Sequence, residues 1–466
     1  MRIFTSVKSE LIFNKISSIR QLKNFMAAFF KNNIFTVLLL LYTAVNCFSQ
    51  DSAMAFKVKQ YTLRAEKYLD KEKALQPMYS VNTNGISIYE SPQTKLKGDN
   101  EFHISLDKID DFKLLLKNLP AAQVFEIYKK GDYDKTALSL PPVKNVPSMA
   151  DQIYSPGIKK LTGFKIALDA GHTAGDFEMG LVEKKCLKFK CDSVHGLKDS
   201  IAIAEGTLTF ATAKLLKDKL ETEGAEVIMT RPVNGITAFG VTFEDWMKTN
   251  YKTAVDSLYK AGKLTLKQKQ FYLSSKANNR DKFGTIFKDS ELEKRAEIIN
   301  KYKPDFTIII HYNVDETNTG WRKPADKNFN MTFVAGAFMR NDLSTPKKRF
   351  EFLRLLISDD LEKSIALSSA MVKSFEKNLN VKTASIKDAK YLISGCLPTD
   401  ENGVYCRNLQ LTRYILGPLV YGETLYQDNF SECVMLNKEC DKTKNERVQQ
   451  VAEAYFQGVL NYVKGK

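Results

Sequence analysis

The chain has 466 residues, of which 44% are hydrophobic and 26% are charged, and its formal net charge at pH 7 is +15. A chain of this length and composition can bury a sizeable core, which excludes a predominantly disordered protein. It has no nucleic-acid recognition motif, so we expect no nucleic acid as a partner despite the positive charge. A basic surface of this kind suits an anionic polymer as well as it suits general solubility.

The N-terminal segment 1–50 has the pattern of a secretory signal peptide. An apolar run over 34–45 follows Lys31 and precedes small residues that suit a cleavage site. Because the leader is long, Met26 is an alternative true start. Lipid attachment at Cys47 and a retained membrane anchor are the alternatives to cleavage. We therefore predict an exported protein of the periplasm or cell envelope.

Cysteine usage agrees with export. Outside the leader there are six cysteines, an even number that falls into three pairs close in sequence. The pairs are Cys186 with Cys191, Cys396 with Cys406, and Cys433 with Cys440. In an oxidising compartment this pattern favours local disulfides, although sequence alone does not fix their connectivity. A structural zinc site made of these cysteines is less favoured, because no close CxxC doublets occur.

Residues 51–160 are predicted to form a small α+β region that ends in a linker. Apolar periodicity separates helical from strand-like segments, and prolines between 141 and 157 indicate the linker. His103 lies in a strand-like run and is interpreted as a structural residue. The predicted elements are a helix over 61–75, strands over 85–89 and 101–106, and a helix over 109–119.

Residues 161–466 are predicted to form an α/β domain whose central sheet is mostly parallel and flanked by helices. A strand, a loop, a helix and a second strand follow one another over 165–230, which is the order of a parallel unit. From about 235 to 290 the chain instead shows helical pieces rich in Lys, Tyr and Asn. We interpret this segment as a helical insertion beside the site, a lid or a substrate wall. The other predicted strands are 306–310, 332–338 and 417–422, and the predicted helices are 203–222, 291–302, 361–379 and 446–463.

Four residues with metal-ligand or acid–base chemistry stand at the ends of these elements. His172 follows the first strand of the domain, His311 ends the strand over 306–310, and Glu423 ends a late strand. Glu205 lies in the first turn of the helix after the His172 loop. The carboxyl ends of parallel strands and the N-termini of the following helices share one edge of the sheet, so we expect all four to meet there. Each of the four residues, taken alone, has an ordinary structural explanation. The prediction of a site rests on all four being expected at the same edge of the sheet.

Two imidazoles and a carboxylate are a ligand set for Zn²⁺ that leaves one position open for water. On this interpretation His172, Glu205 and His311 bind zinc, which lowers the pKa of a bound water to roughly 7. Glu423 can then take the proton of that water and pass it to a departing amine. Asp176 and His195 are the alternative ligands in the same loop region.

Five segments occur in the order and spacing of one protein family, and they are LDAGHTAG, IAEGTLTFATAKLL, GAEVIMTRP, KRAEIINKYKPDFTIIIHYN and LGPLVYGETLYQDN. Together they resemble the zinc-dependent N-acetylmuramoyl-L-alanine amidases of bacterial cell-wall turnover, over about 161–460. The resemblance implies an α/β fold, zinc bound by a His, a Glu and a second His, and a catalytic Glu in a late strand-end motif.

Residue by residue, the resemblance puts His172, Glu205 and His311 on zinc and Glu423 in catalysis. It also matches Arg295 and Asn313 to family positions, for which we expect orienting or structural roles.

The function implied by this resemblance is an exported zinc hydrolase that cleaves the amide between N-acetylmuramic acid and L-alanine in peptidoglycan. Two alternatives remain: a zinc peptidase acting on wall stem peptides, and a non-catalytic wall-binding protein that has kept the fold. Besides peptidoglycan, an activator or another wall-associated protein is a candidate partner. The sequence leaves open whether the insertion at about 235–290 blocks the site in the resting protein.

Overall fold

The computed structural model describes Lys23 and residues 53–131, 159–191, 196–318 and 323–465. The chain divides into two compact units, Met1–Gln60 with Asn82–Asn84 and Tyr61–Val81 with Gly85–Lys466. Within the first unit, residues 53–60 are helical. The described helices include none that is long and apolar enough to cross a membrane.

Three sequence-based predictions concern residues that are not described. The signal-like segment 1–50, apart from Lys23, the proline-containing linker and His195 all lie outside the described residues. The predicted boundary near residue 160 borders on that linker and stays a prediction.

Residues 61–131 combine helices with a small antiparallel sheet, in agreement with the predicted α+β character. His103 lies in this sheet, and its Nδ1 atom is 2.9 Å from the Oγ atom of Ser87, a contact within the fold. The region packs on a later helix of the chain through Phe102 and Phe112, whose rings lie 5.7 and 5.8 Å from that of Phe350. The elements are strands β1 (Tyr79–Asn82), β2 (Gly85–Ile88) and β3 (Phe102–Ile104) and helices α1 (Pro92–Lys97), α2 (Ile109–Asn118) and α3 (Ala121–Lys130).

A seven-stranded mixed sheet forms the centre of the second unit. The remaining strands are β4 (Lys165–Ala170), β5 (Cys186–Phe189), β6 (Ile201–Ala204), β7 (Glu226–Met229), β8 (Phe306–Asn313), β9 (Met331–Val334), β10 (Cys396–Pro398), β11 (Val404–Arg407) and β12 (Leu419–Tyr426). The order in the sheet is β10-β11-β9-β12-β8-β4-β7, and β5 pairs with β6 in a separate antiparallel ribbon. Strands β12, β8, β4 and β7 are parallel, whereas β9 runs antiparallel to β12. The predicted mostly parallel sheet is confirmed, with an antiparallel extension on one side.

Helices cover both faces of this sheet. On β8, Ile308 and Ile310 pack into the large core that includes Leu208 and Met371, whereas Ile309 packs on the opposite face with Ala296. Because β8 is buried on both sides, its sequence is a continuous apolar run. The remaining helices are α4 (Phe177–Glu183), α5 (Glu205–Thr222), α6 (Phe243–Thr249), α7 (Tyr251–Lys260), α8 (Leu266–Leu273), α9 (Asn279–Lys282), α10 (Lys288–Tyr302), α11 (Pro346–Ile357), α12 (Asp360–Leu379), α13 (Lys390–Gly395), α14 (Gln410–Tyr414), α15 (Phe430–Asn437) and α16 (Glu446–Lys464).

The segment from 235 to 290 is helical, as the sequence predicted. It contains α6 to α9 and a π-helical turn at Phe283–Phe287, and every residue of this segment is described. An aromatic cluster holds it together, with the rings of Trp246 and Phe287 4.8 Å apart. Met179 and Val182 of α4 pack against this cluster, so the segment contacts the helix that follows the His172 loop.

Several element boundaries differ from the predictions. Strand β8 continues to Asn313, so His311 lies within the strand and not at its end. The helix predicted over 203–222 begins at Glu205, because Ile201–Ala204 pairs with β5 instead of continuing the helix. Strand β12 continues to Tyr426, so Glu423 lies within the strand and not at its end.

The predicted local disulfides are absent from the described residues, in which all six cysteines are free thiols. For Cys396 and Cys406, the register of β10 with β11 explains why no disulfide forms. Cys396 pairs with Arg407 and Cys406 with Leu397, which places the two sulfurs on opposite faces of the sheet. Cys433 is buried in α15, whereas Cys440 is exposed.

Candidate metal centre and active site

The loop after β4 holds His172 in an unusual backbone conformation, and a contact with Glu183 fixes its side chain. His172 has a φ of 62°, in the left-handed region that residues with a Cβ atom rarely adopt. Its Nδ1 atom lies 3.1 Å from Oε1 of Glu183, the last residue of α4. Glu183 also accepts hydrogen bonds from the backbone N–H groups of Thr173 and Ala174, at 3.0 and 3.1 Å. One carboxylate therefore fixes both the imidazole and the loop that carries it.

Glu205, the first residue of α5, lies between two imidazoles. Its Oε2 atom is 3.0 Å from Nε2 of His172, and its Oε1 atom is 3.1 Å from Nδ1 of His311. The two imidazole rings are 4.8 Å apart and nearly perpendicular. One ligand atom from each of the three residues can be chosen so that all lie within 4.8 Å of one another. The structure thus brings together the three residues that the sequence analysis selected as metal ligands.

The position of His311 depends on its two neighbours. A Cβ atom on Gly171 would lie 2.3 Å from Cε1 of His311, so only glycine lets the loop approach the ring this closely. On its other side, the Tyr421 ring stacks on the imidazole at 4.4 Å with an interplanar angle of 7°. The imidazole is therefore held between backbone and an aromatic ring.

Burial and neighbouring charges set the protonation of this cluster. Burial opposes ionisation of Glu205, but His172 and Lys185 hold the pKa of its carboxyl well below the usual range. Burial lowers the pKa of His311 to about 4, which keeps that imidazole neutral, the form that binds metals. Burial also opposes the charged form of His172, but Glu205 and Glu183 raise its pKa above the ordinary value.

Glu423 lies directly beside His311 in the parallel pairing of β12 with β8. It is 9% exposed, and burial together with the charge of Glu205 raises the pKa of its carboxyl to about 8. Among the described residues its Oε2 atom is buried and has no hydrogen-bond partner. A carboxyl that titrates near neutrality and has an uncommitted oxygen can accept and return a proton.

The three clustered residues fit a zinc ion. Two imidazole nitrogens and a carboxylate oxygen are a donor set of catalytic zinc sites. Within the described part of the chain, Nε2 of His172 is buried without a hydrogen bond, since its 3.0 Å contact to Glu205 lacks hydrogen-bond geometry. A buried polar atom of this kind is rare in folded proteins, and a cation between it and Glu205 would satisfy it.

Arg295 stabilises the loop that carries His172. It donates hydrogen bonds to the backbone oxygens of Ala170 and His172, at 2.9 and 2.8 Å, and forms ion pairs with Asp169 and Glu291. The other matched residue, Asn313, donates from Nδ2 to the hydroxyl of Tyr391 at 2.8 Å. Both contacts are structural rather than chemical.

Of the two alternative ligands, Asp176 does not join the cluster, whereas His195 lies outside the described residues. Asp176 is exposed and caps α4 by accepting a hydrogen bond from the Met179 N–H at 2.8 Å. Glu183 was not predicted, because no spacing in the sequence indicates its contact with His172. Tyr421 was not predicted either, although a residue two before Glu423 must share its face of the strand.

Comparisons with known proteins point to one family. The family model for N-acetylmuramoyl-L-alanine amidase matches residues 166–461, more than half of the chain. A search of curated proteins found no match.

Three solved amidase structures are similar to this chain. The CwlD amidase from Clostridioides difficile, in complex with the GerS lipoprotein, is 17% identical and has a TM-score of 0.34, with 65% of this chain and 100% of that chain covered. The apo form of Ami1 from Mycobacterium abscessus is 17% identical, with a TM-score of 0.34 and coverage of 65% and 99%. The catalytic domain of CwlV from Bacillus (Paenibacillus) polymyxa is 15% identical, with a TM-score of 0.33 and coverage of 65% and 99%. Because these TM-scores are low, the family model alone carries the assignment.

Proposed function

Because the chain belongs to the N-acetylmuramoyl-L-alanine amidase family, we propose that it is an exported zinc hydrolase that cleaves the amide between N-acetylmuramic acid and L-alanine in peptidoglycan. The observation that carries the proposal is the cluster of His172, Glu205 and His311, whose candidate ligand atoms lie within 4.8 Å of one another. The signal-like segment 1–50 supports export.

His172, Glu205 and His311 are the residues that would hold the ion. When bound, Zn²⁺ supplies a Lewis acid for the scissile carbonyl and lowers the pKa of a water molecule to roughly 7. Glu183 fixes the orientation of the His172 imidazole, and Tyr421 fixes that of His311. Contacts of this kind, made by residues that are not themselves ligands, orient the ligands and influence how tightly the metal is bound.

Glu423 is the residue that moves the proton. As a carboxylate it accepts a proton from the attacking water while the carbon–oxygen bond forms. As a carboxylic acid it returns that proton to the nitrogen of L-alanine when the carbon–nitrogen bond breaks, so the amine leaves neutral. Burial and the charge of Glu205, which raise the pKa of Glu423 to about 8, suit a group that must hold a proton briefly near neutral pH.

Product analysis tests this proposal. Purified muropeptides are incubated with the zinc-loaded protein and examined by mass spectrometry. We expect stem peptides that begin with a free L-alanine amine and sugars that retain the lactyl carboxylate. Fragments cut within the stem peptide would instead identify a peptidase, and wall binding without any release would identify a non-catalytic protein.

A further inference from the structure

An arginine without an acidic partner lies on the sheet face that carries the candidate active site. The guanidinium of Arg407, the last residue of β11, stacks on two aromatic rings, with its Cζ atom 4.8 Å from the Tyr391 ring centroid and 5.0 Å from that of Phe333. Among the residues that the structure describes, it has no hydrogen-bond acceptor and no carboxylate within ion-pair distance. By contrast, Arg413 and Arg447, which lie in helices, each pair with a buried glutamate.

Strand register puts Arg407 on the same face as the site. Directly paired residues, and residues two apart on one strand, point to the same side of a sheet. His311 pairs with Glu423, and Tyr421, two residues earlier, pairs with Phe333 on β9. The shared face continues on β11, where Tyr405 pairs with Phe333 and Arg407 follows two residues later.

A series of ring contacts runs between His311 and Arg407 on this face, and one of its rings, that of Phe333, is fully buried. The His311 ring is 4.4 Å from the Tyr421 ring, which is 6.0 Å from the Phe333 ring, on which Arg407 stacks. Arg407 is half-buried, and its charge acts on Glu423.

We propose that Arg407 binds a carboxylate of the stem peptide while the L-alanine amide lies at the metal centre, and so selects stems with free acids. This inference rests on the proposed amidase function. A planar guanidinium takes a carboxylate through two parallel hydrogen bonds. The two rings fix the guanidinium before the substrate arrives, so little side-chain freedom is lost on binding.

Two matched substrates test the inference. Both are N-acetylmuramoyl tetrapeptides that begin with L-alanine; one has its stem carboxylates free and the other has them amidated. For the wild-type protein we expect kcat/KM to be about tenfold or more higher for the free acid, the scale of one charge-assisted hydrogen bond. Arg407→Gln should bring the ratio close to one, because any effect of the lost charge on Glu423 is common to both substrates, and Arg407→Lys should restore part of the ratio.

The control is Arg340→Gln, which removes the same charge from an exposed turn and should leave the ratio unchanged. Equal rates of the wild-type protein on the two substrates would overturn the inference without the need for any variant. An unchanged ratio in Arg407→Gln would also overturn it. If the wild-type protein cleaves neither substrate, the amidase function itself fails, which is a distinct result.

Discussion

Glu183 at the end of α4 holds the Nδ1 atom of His172 at a distance of 3.1 Å. The same carboxylate accepts two backbone N–H groups of the loop, so the position of the imidazole follows the position of α4. Since α4 also packs on the helical segment over 235–290, that segment is mechanically connected to the candidate metal centre.

The first prediction concerns this contact. Glu183→Gln keeps the size of the side chain but removes the charge that orients His172. Loss of such an outer partner should weaken zinc binding about 10- to 100-fold, as measured by competition with a chelator. Glu178→Gln, on an exposed position of the same helix, should bind zinc like the wild-type protein. Equal zinc affinity in the two variants would show that Glu183 has no orienting role.

The second prediction concerns the close approach of the loop to His311. Gly171→Ala places a methyl carbon 2.3 Å from Cε1 of His311, so either the loop or the ring must move. We expect weaker zinc binding and a large loss of turnover in a protein that still folds. The matched control is Gly284→Ala, where no atom lies within 4 Å of the added carbon. A Gly171→Ala variant with wild-type zinc affinity would contradict the steric argument.

The third prediction is a pH dependence of stability. Asp359 lies 2.9 Å from Lys113 in α2; burial opposes its ionisation, but Lys113 and Arg64 hold the pKa of its carboxyl below the usual value. A lowered folded-state pKa stabilises the protein above the unfolded pKa of about 3.9, and this contribution is lost as pH falls through the folded value.

Asp359→Asn should therefore lower Tm at pH 7, and the difference from the wild-type protein should close on acidification below about pH 3.9. Thermal melts across this range measure the effect. Asp218→Asn, an exposed change on α5, should have a small effect that does not vary with pH. A gap for Asp359→Asn that stays constant down to pH 2 would refute the assignment.

The sequence predicted the residues of the cluster because strand ends are visible in it. Apolar runs that stop at His172 and His311 indicate buried strands, and parallel strands bring their carboxyl ends to one edge. The strand ends depend on local patterns and on one topological rule, so they can be derived without coordinates. The direct pairing of Glu423 with His311 depends also on the order and register of the strands, which the sequence does not determine.

Other features depend on packing that no local pattern encodes. Glu183 reaches His172 only because α4 folds back over the loop, which depends on its contacts with the segment over 235–290. Likewise, Arg407 shares the face of the site because of the register in which β9 pairs with β12 and β11 pairs with β9. The disulfide prediction failed for Cys396 and Cys406 because proximity in sequence does not determine which face of a sheet a side chain occupies.

The most direct test of the account compares zinc content and stem-peptide release in the wild-type protein and in Glu423→Gln. Glu423 is adjacent to the clustered ligands but is not one of them, so the variant should bind zinc like the wild-type protein. It should nevertheless release no peptide with a free L-alanine amine, because the residue assigned to move the proton is replaced by an amide that cannot accept one. Release at the wild-type rate by zinc-loaded Glu423→Gln would contradict the proposed mechanism.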